Sequence, residues 1–305
     1  MRPLLHLTLA VATLGTSLGL GVDWTAAQRG ATYALRFHRP LTVGTRRRIE
    51  SDGEKHQTVE RRVGRRWEAV ETEDRVVSMR AVERVLTVTA GGTALRSELT
   101  IESFSVRLGD VTSTPIAAGA VLTLERATAP GGDPVWLSGT TPVAPEIVAS
   151  LETVTSGSAS DSAEDAILAA DRPRRVGERW SIAEALAEAD LATKTGVHAD
   201  LRGEVRLVAL RTVDALPCAM VTSTISGQVS QMPDLPPGAT LANATMTVTF
   251  SGALPTDPAA SIAPTAEHGL VMEATVTVPG APNTAPQTIR VRVRQSGRTH
   301  ATLLP

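Results

Sequence analysis

The chain has 305 residues, 42% of them hydrophobic, and a formal net charge of −2. That length suits one large or two modest domains, and that apolar content excludes global disorder. The near-neutral balance excludes the strongly basic profile of a dedicated nucleic-acid binder. A lone cysteine, Cys218, excludes both an intramolecular disulfide framework and a thiolate-rich metal site.

In chain order, the first element is an export signal. Arg2 supplies a positive start, Leu4 to Val22 form an apolar stretch, and Thr25-Ala26-Ala27 puts small residues at −3 and −1 of a cleavage site before Gln28. No cysteine lies near that site, which closes the lipid-anchored route. No later segment is long and apolar enough to span a bilayer as a helix. The expected location is periplasmic or secreted, and the expected mature form does not span the membrane.

Beyond the signal the dominant pattern is period-two alternation. Residues 289–294 read Ile-Arg-Val-Arg-Val-Arg, a half-buried strand with one wet face. Similar runs fall at 57–63, 81–90, 97–108, 119–126, 203–213, 219–229, 244–251 and 270–278, with Gly/Pro turns between many of them. The expected fold is mainly β with a few short helices, built as curved antiparallel sheets in two similar halves. The boundaries are a signal at 1–27, a first half at 28–141, a linker with helical turns at 142–171 and a second half at 172–305. Residues 29–108 carry a net +5 and residues 109–171 a net −8, so the linker is acidic. Ser162-x-x-Asp165 and Ser181-Ile182-Ala183-Glu184 have the spacing of helix-opening capping boxes.

The two halves are suggested by a repeat. Arg39-Pro40-x-x-Val43-Gly44-x-Arg46 returns as Arg172-Pro173-x-x-Val176-Gly177-x-Arg179. A competing register matches Val63-Gly64-Arg65-Arg66-Trp67 to Val176-Gly177-Glu178-Arg179-Trp180. The Arg172-Pro173-x-x-Val176-Gly177-x-x-Trp180 segment, with the strand pair around Leu216 to Val221, resembles a group of secreted bacterial β-sheet proteins of unknown function. That group is similar in architecture to lipoprotein-carrier-like folds, in which a curved antiparallel sheet wraps short helices. The resemblance spans residues 170–295 and implies no catalytic residue.

Signatures of serine hydrolases, zinc proteases and P-loops are missing from the sequence. His198-x-Asp200 offers two ligands where a metal needs three or four, so neither a metal nor a cofactor is expected. Cys218, after Pro217 and before Ala219-Met220-Val221, reads as a buried inert thiol. The sharpest lead is basic: Arg46, Arg48, Arg61 and Arg65, with Trp67, would bind phosphate or carboxylate groups if strand pairing gathered them. The bland alternative is a solvated sheet face, with Glu50, Glu60 and Glu68 as cross-strand partners and Trp67 and Trp180 as core anchors. Three functions follow in order: an exported, non-catalytic envelope protein binding an apolar or anionic ligand; a structural or assembly protein acting through exposed strands; and an enzyme with an unrecognised site. The expected partner is a lipid or an anionic envelope polymer. N-terminal sequencing of the exported protein should read Gln28 first, and a product still starting at Met1 would remove the cleaved-signal reading.

Overall fold

The computed structural model describes residues 31–126, 134–155, 163–233, 235–280 and 284–305. The expected signal, the Ser-rich stretch 156–160, Ser162 and the 131–133 turn lie outside those residues. The strands of the first half are β1 (Thr32–Tyr33), β2 (Arg46–Val63), β3 (Arg66–Val88), β4 (Ala94–Leu108), β5 (Val111–Ser113), β6 (Val121–Glu125), β7 (Val135–Ser138) and β8 (Thr141–Pro142). Helices α1 (Pro145–Thr155) and α2 (Ala163–Ile167) follow. Then come β9 (Arg174–Arg175), β10 (Arg179–Ser181), α3 (Glu184–Thr195), β11 (His198–Val213), β12 (Leu216–Gln231), β13 (Thr240–Pro255), β14 (Thr265–Val278) and β15 (Gln287–Leu303).

Each of the nine alternating runs falls on a strand, to within two residues at its ends. Most of the strands run well past the pattern: β2 reaches back to Arg46 through the buried Ile49, Ser51 and Gly53, and β3 reaches back past Met79 and Val77 to the largely exposed stretch from Arg66. The fold class is as the alternation predicts: mainly β, antiparallel, with short helices. Thirteen strands form one sheet in the order β10-β11-β12-β13-β14-β15-β2-β3-β4-β6-β7-β8, with β5 beside β4. The two meanders therefore meet edge to edge, through β15 and β2, and do not face one another as separate sheets.

One cross-strand row shows how the inner face is built. Trp180, Val205, Ser223, Phe250, His268, Gly297, Gly53, Val77 and Val106 are successive partners on nine strands. Directly opposed residues share a face, so this row lines the interior. At its middle the side chains vanish. A Cβ on Gly297 would lie 3.1 Å from the His268 ring, and one on Gly53 would lie 2.4 Å from the Thr153 carbonyl oxygen. The glycine pair admits the imidazole on one side and the last turns of α1 on the other.

Helix α1 lies in the linker expected to carry helical turns; Pro145 at its first position suits a helix start because the missing N–H has no intrahelical partner there. It buries Leu151 and Val154 against β2, β3, β4 and β6. Helix α3 departs from its expected capping box. Ser181 is held in β10 opposite Glu204, Ala183 takes the N-cap position without a side-chain cap, and its N–H donates to the Ile167 carbonyl.

The turns at the two repeat segments are alike. Gly44 and Gly177 both have φ +87°, which glycine adopts without strain. Gly44 N–H donates to Val85 O and Val85 N–H returns to Thr45 O; Gly177 N–H donates to Leu207 O and Leu207 N–H returns to Glu178 O. Gly64 instead sits in the β2–β3 hairpin turn, at φ +61°. The local likeness ends quickly, because β2 runs on for 18 residues where β10 stops after three and gives way to α3.

Because the atom that blocks a side chain at Gly53 is backbone, Gly53→Ala should cost about 1–3 kcal/mol in denaturant unfolding, as overpacking does. Gly64→Ala meets open space, so its cost should be only the ~1–2 kcal/mol of holding a side chain at positive φ.

Candidate functional site

The inner face carries two large apolar clusters and one small one. The first gathers β10–β15, α3 and the N-terminal segment around Leu207, Val221, Leu270 and Met272. The second gathers β2–β4, β6, β7 and α1 around Met79, Ile101 and Leu151. The third, Leu41, Val85, Ala94, Ile262 and Ala301, lies where the halves join. A cavity of about 130 Å³ opens where the three meet. Its walls include residues of β14 and of β6, which are five strand spacings apart. A flat sheet would separate those strands by about 24 Å. That both line so small a space means the sheet curls around it.

The roof is a strap, residues 35–41, which runs from β1 across the cavity. Arg39 fixes it to the second half: its guanidinium donates to the carbonyls of Arg36, Asp257, Ala260 and Pro255 at 2.7–3.2 Å. The strap also bonds to the β3–β4 turn, where His38 Nε2 donates to Gly91 O at 2.7 Å and Leu41 N–H to Gly92 O at 2.8 Å. From the linker, Asp165 accepts the N–H groups of Phe37 and His38. Phe37, Arg39 and Leu41 reach the cavity from above, and Ser261 to Ala263 complete the roof.

About half of the wall is aliphatic, with Ile49, Met79, Leu99, Leu124, Val154 and Ile262 among its members, and Ser51, Thr93, Thr155, Ser261 and Thr299 add hydroxyl groups. One end is charged. Arg47 of β2 faces Glu83 of β3, its register partner, and its Nε donates to the carboxylate; Arg126, just beyond β6, is beside them. Burial by itself would raise the Glu83 carboxyl, but Arg47, with help from Ser97 and Arg126, holds it below its usual value. Burial lowers the Arg126 guanidinium, and Glu83 opposes that effect. At the other end stands His268, 4% exposed, whose Nε2 makes no hydrogen bond among the described residues. Burial pushes its imidazole down to about 4, so it is neutral near pH 7. Six residues of β3 separate the row of His268 from Glu83, about 20 Å along the strand. The lining is charged around Glu83 and neutral at His268.

The structure divides the arginines singled out in the sequence. Arg46 and Arg48 lie at one end of β2, and Arg61 and Arg65 lie near the other, some 13 residues or about 43 Å from Arg48 to Arg61. Arg48 pairs with Glu102 at 3.1 Å. Trp67 is not a core anchor; it lies half-buried under the Arg290 guanidinium, 4.4 Å from the ring centroid. Trp180 is buried, with Arg174 stacked at 4.6 Å and its indole N–H on Leu168 O. Cys218 is fully buried, and burial raises its thiol above the ordinary value. His198 and Asp200 are exposed, and no cluster of three metal-ligating side chains occurs among the described residues. The sequence did hold one signal for the charged end: Glu83 sits in the apolar phase of β3, between Ala81 and Val85.

No family model matches the chain, and no curated protein does. Among solved structures, lipovitellin, described for its lipid–protein interactions, is similar over 87% of this chain at 10% identity and a TM-score of 0.33; this chain spans 25% of it. An outer membrane channel from Pseudomonas putida F1 is similar over 87% of this chain and 98% of its own, at 11% identity and a TM-score of 0.20. No described helix is long and apolar enough to cross a membrane.

His268 gives the site a pH signature. The unfolded chain takes up a proton near pH 6.5, whereas the folded protein resists it until about 4. Stability should therefore be complete above pH 6.5 and fall by about 3 kcal/mol as pH drops to 4. Denaturant unfolding of His268→Leu should lack that slope; an unchanged slope would assign it to other groups.

Proposed function

We propose that the protein is an exported, non-catalytic envelope protein whose inner cavity takes an aliphatic ligand with one anionic head. The observation that carries this is the cavity's polarity: an apolar stretch of wall ending where Arg47 and Arg126 stand beside the Glu83 carboxylate. A carboxylate or phosphate there would take charge-assisted hydrogen bonds from the Arg47 and Arg126 guanidinium groups.

The same geometry favours binding over catalysis. Glu83 is held ionised by Arg47, which removes it as a proton donor near neutrality. His268, the other titratable group on the wall, is about 20 Å away along the sheet and stays neutral. These two cannot share one reacting atom. The volume of about 130 Å³ is below the ~300–1,000 Å³ of sites for drug-sized molecules. A long chain therefore enters with displacement of the strap at 35–41.

Native mass spectrometry of protein purified from its own cell envelope should show an adduct with the mass of an anionic amphiphile. Arg126→Gln should weaken a long-chain fatty acid about tenfold, the worth of one charge-assisted hydrogen bond, and leave the matching fatty alcohol unchanged. A bare protein mass, together with no binding of either probe in a fluorescence-displacement titration, would sink the proposal.

A further inference from the structure

The far end of the β2–β3 hairpin has a different character from the rest of the sheet. β15 accompanies β2 only as far as Arg61, and β4 accompanies β3 only as far as Arg75. Only the last two pairs, Arg62 with Trp67 and Val63 with Arg66, stand clear of β15 as a two-stranded ribbon tip, and β3 is a free edge from Arg66 to Asp74. Residues 61–66 are all exposed, with Val63 at 45% and Val70 at 63%.

Elsewhere on the sheet several arginines have partners: Arg80 with Glu50, Arg292 with Glu273, Arg298 with Glu267 and Arg96 with Glu125. Single arginines without one among the described residues, such as Arg84 and Arg294, are scattered along other strands; at the hairpin end four stand together. Glu60 is already engaged by Arg290 at 2.6 Å and Arg292 at 3.6 Å, and the hydrogen bond from Arg290 draws its carboxyl below the ordinary value. Arg61, Arg62, Arg65 and Arg66 make no ion pair within 4 Å among the described residues, although Glu68 is the register partner of Arg61. Four guanidinium groups within six residues thus share a tip with exposed Val63 and the half-buried Trp67 ring, and exposed Val70 lies at the bulge four residues further along β3.

We infer that this ribbon end is a docking surface for an anionic lipid bilayer. Arginines beside an anionic membrane gain about 1 kcal/mol each, within a Debye length of the surface. Long basic side chains keep their charge at the headgroups while their stems cover apolar surface, and Trp favours the same interface. The exposed valines choose between partners: a membrane offers an apolar layer beneath its charge, which a soluble polyanion does not. Val63 is 12 residues from Ser51 of the cavity wall, about 40 Å along β2. The contact is therefore a tether and not the mouth of the cavity, and it stands apart from the ligand proposal.

Co-sedimentation of the purified protein with vesicles tests it, using pure phosphatidylcholine and phosphatidylcholine containing about one-third phosphatidylglycerol. Binding should appear only with the anionic vesicles and should weaken steeply as salt rises. Each arginine removed should cost about fivefold, so Arg61, Arg62, Arg65 and Arg66 all changed to Gln should reduce binding by at least about 100-fold. Arg46→Gln with Arg48→Gln, at the opposite end of β2, should leave it unchanged. Equal binding to neutral vesicles, equal loss in the two variants, or capture by soluble polyphosphate without capture by vesicles would each overturn the inference.

Discussion

The pairing of β15 with β2 is the interaction on which the rest depends. It runs from Ile289 opposite Arg61 to Leu303 opposite Arg47, joining residues more than 200 positions apart. Closing so long a loop costs only a little more than closing a shorter one, but it must be done before any of the ladder forms. Once formed, it turns two open meanders into one sheet and removes two long free edges. It also sets the Gly297–Gly53 pair side by side, which makes room for His268 and α1. The cavity wall contains both strands, so without this ladder there is no cavity.

The remaining edges are short and guarded. At one end of the sheet, β10 and the turn at Gly177 cover the middle of β11, and the Glu188 carboxylate accepts the Leu201 N–H. At the other, β6, β7 and β8 step down in length from β4. These devices limit strand addition by other chains. The ribbon end of β3 is protected differently, by charge and by the bulge at Val70, where Glu60 and Val59 face Ala69 and Glu71.

Alternation made the strands legible because each has one face in an apolar interior. It said nothing of neighbours, since strand order is fixed by long-range pairing and the pattern is the same for any partner. The arginine lead failed as a single site for that reason: Arg46 and Arg61 share a strand but not an end of it. The candidate site was readable only as a break in phase. Glu83 among Ala81 and Val85, and Arg47 two residues before Ile49, put charge on the buried side of their strands. Each alone suggests a local irregularity; the β2–β3 register is what makes them a pair. Ser181-x-x-Glu184 misled because strand pairing claimed Ser181 before the helix began. His268 carried no signal, because its burial comes from two glycines on other strands.

The strap shows how the interior is closed. Leu35, Phe37 and Leu41 bury apolar surface in it, while Arg39, also buried, spends its donors on four carbonyls. A buried guanidinium is tolerable only when its N–H groups are satisfied, and chain ends and turns supply carbonyls that no ladder uses. The strap's ties are therefore mostly to the β3–β4 turn and the β13–β14 loop, and not to strand interiors. Each is worth about 1 kcal/mol net, somewhat more where the charge takes part. Lifting the strap forfeits those bonds and a few side chains of packing but leaves every long ladder intact. Local opening above the cavity should thus cost less than global unfolding. A ligand that refills the space and meets Arg47 and Arg126 would recover part of that cost from its own contacts, which couples entry to the charged end of the wall.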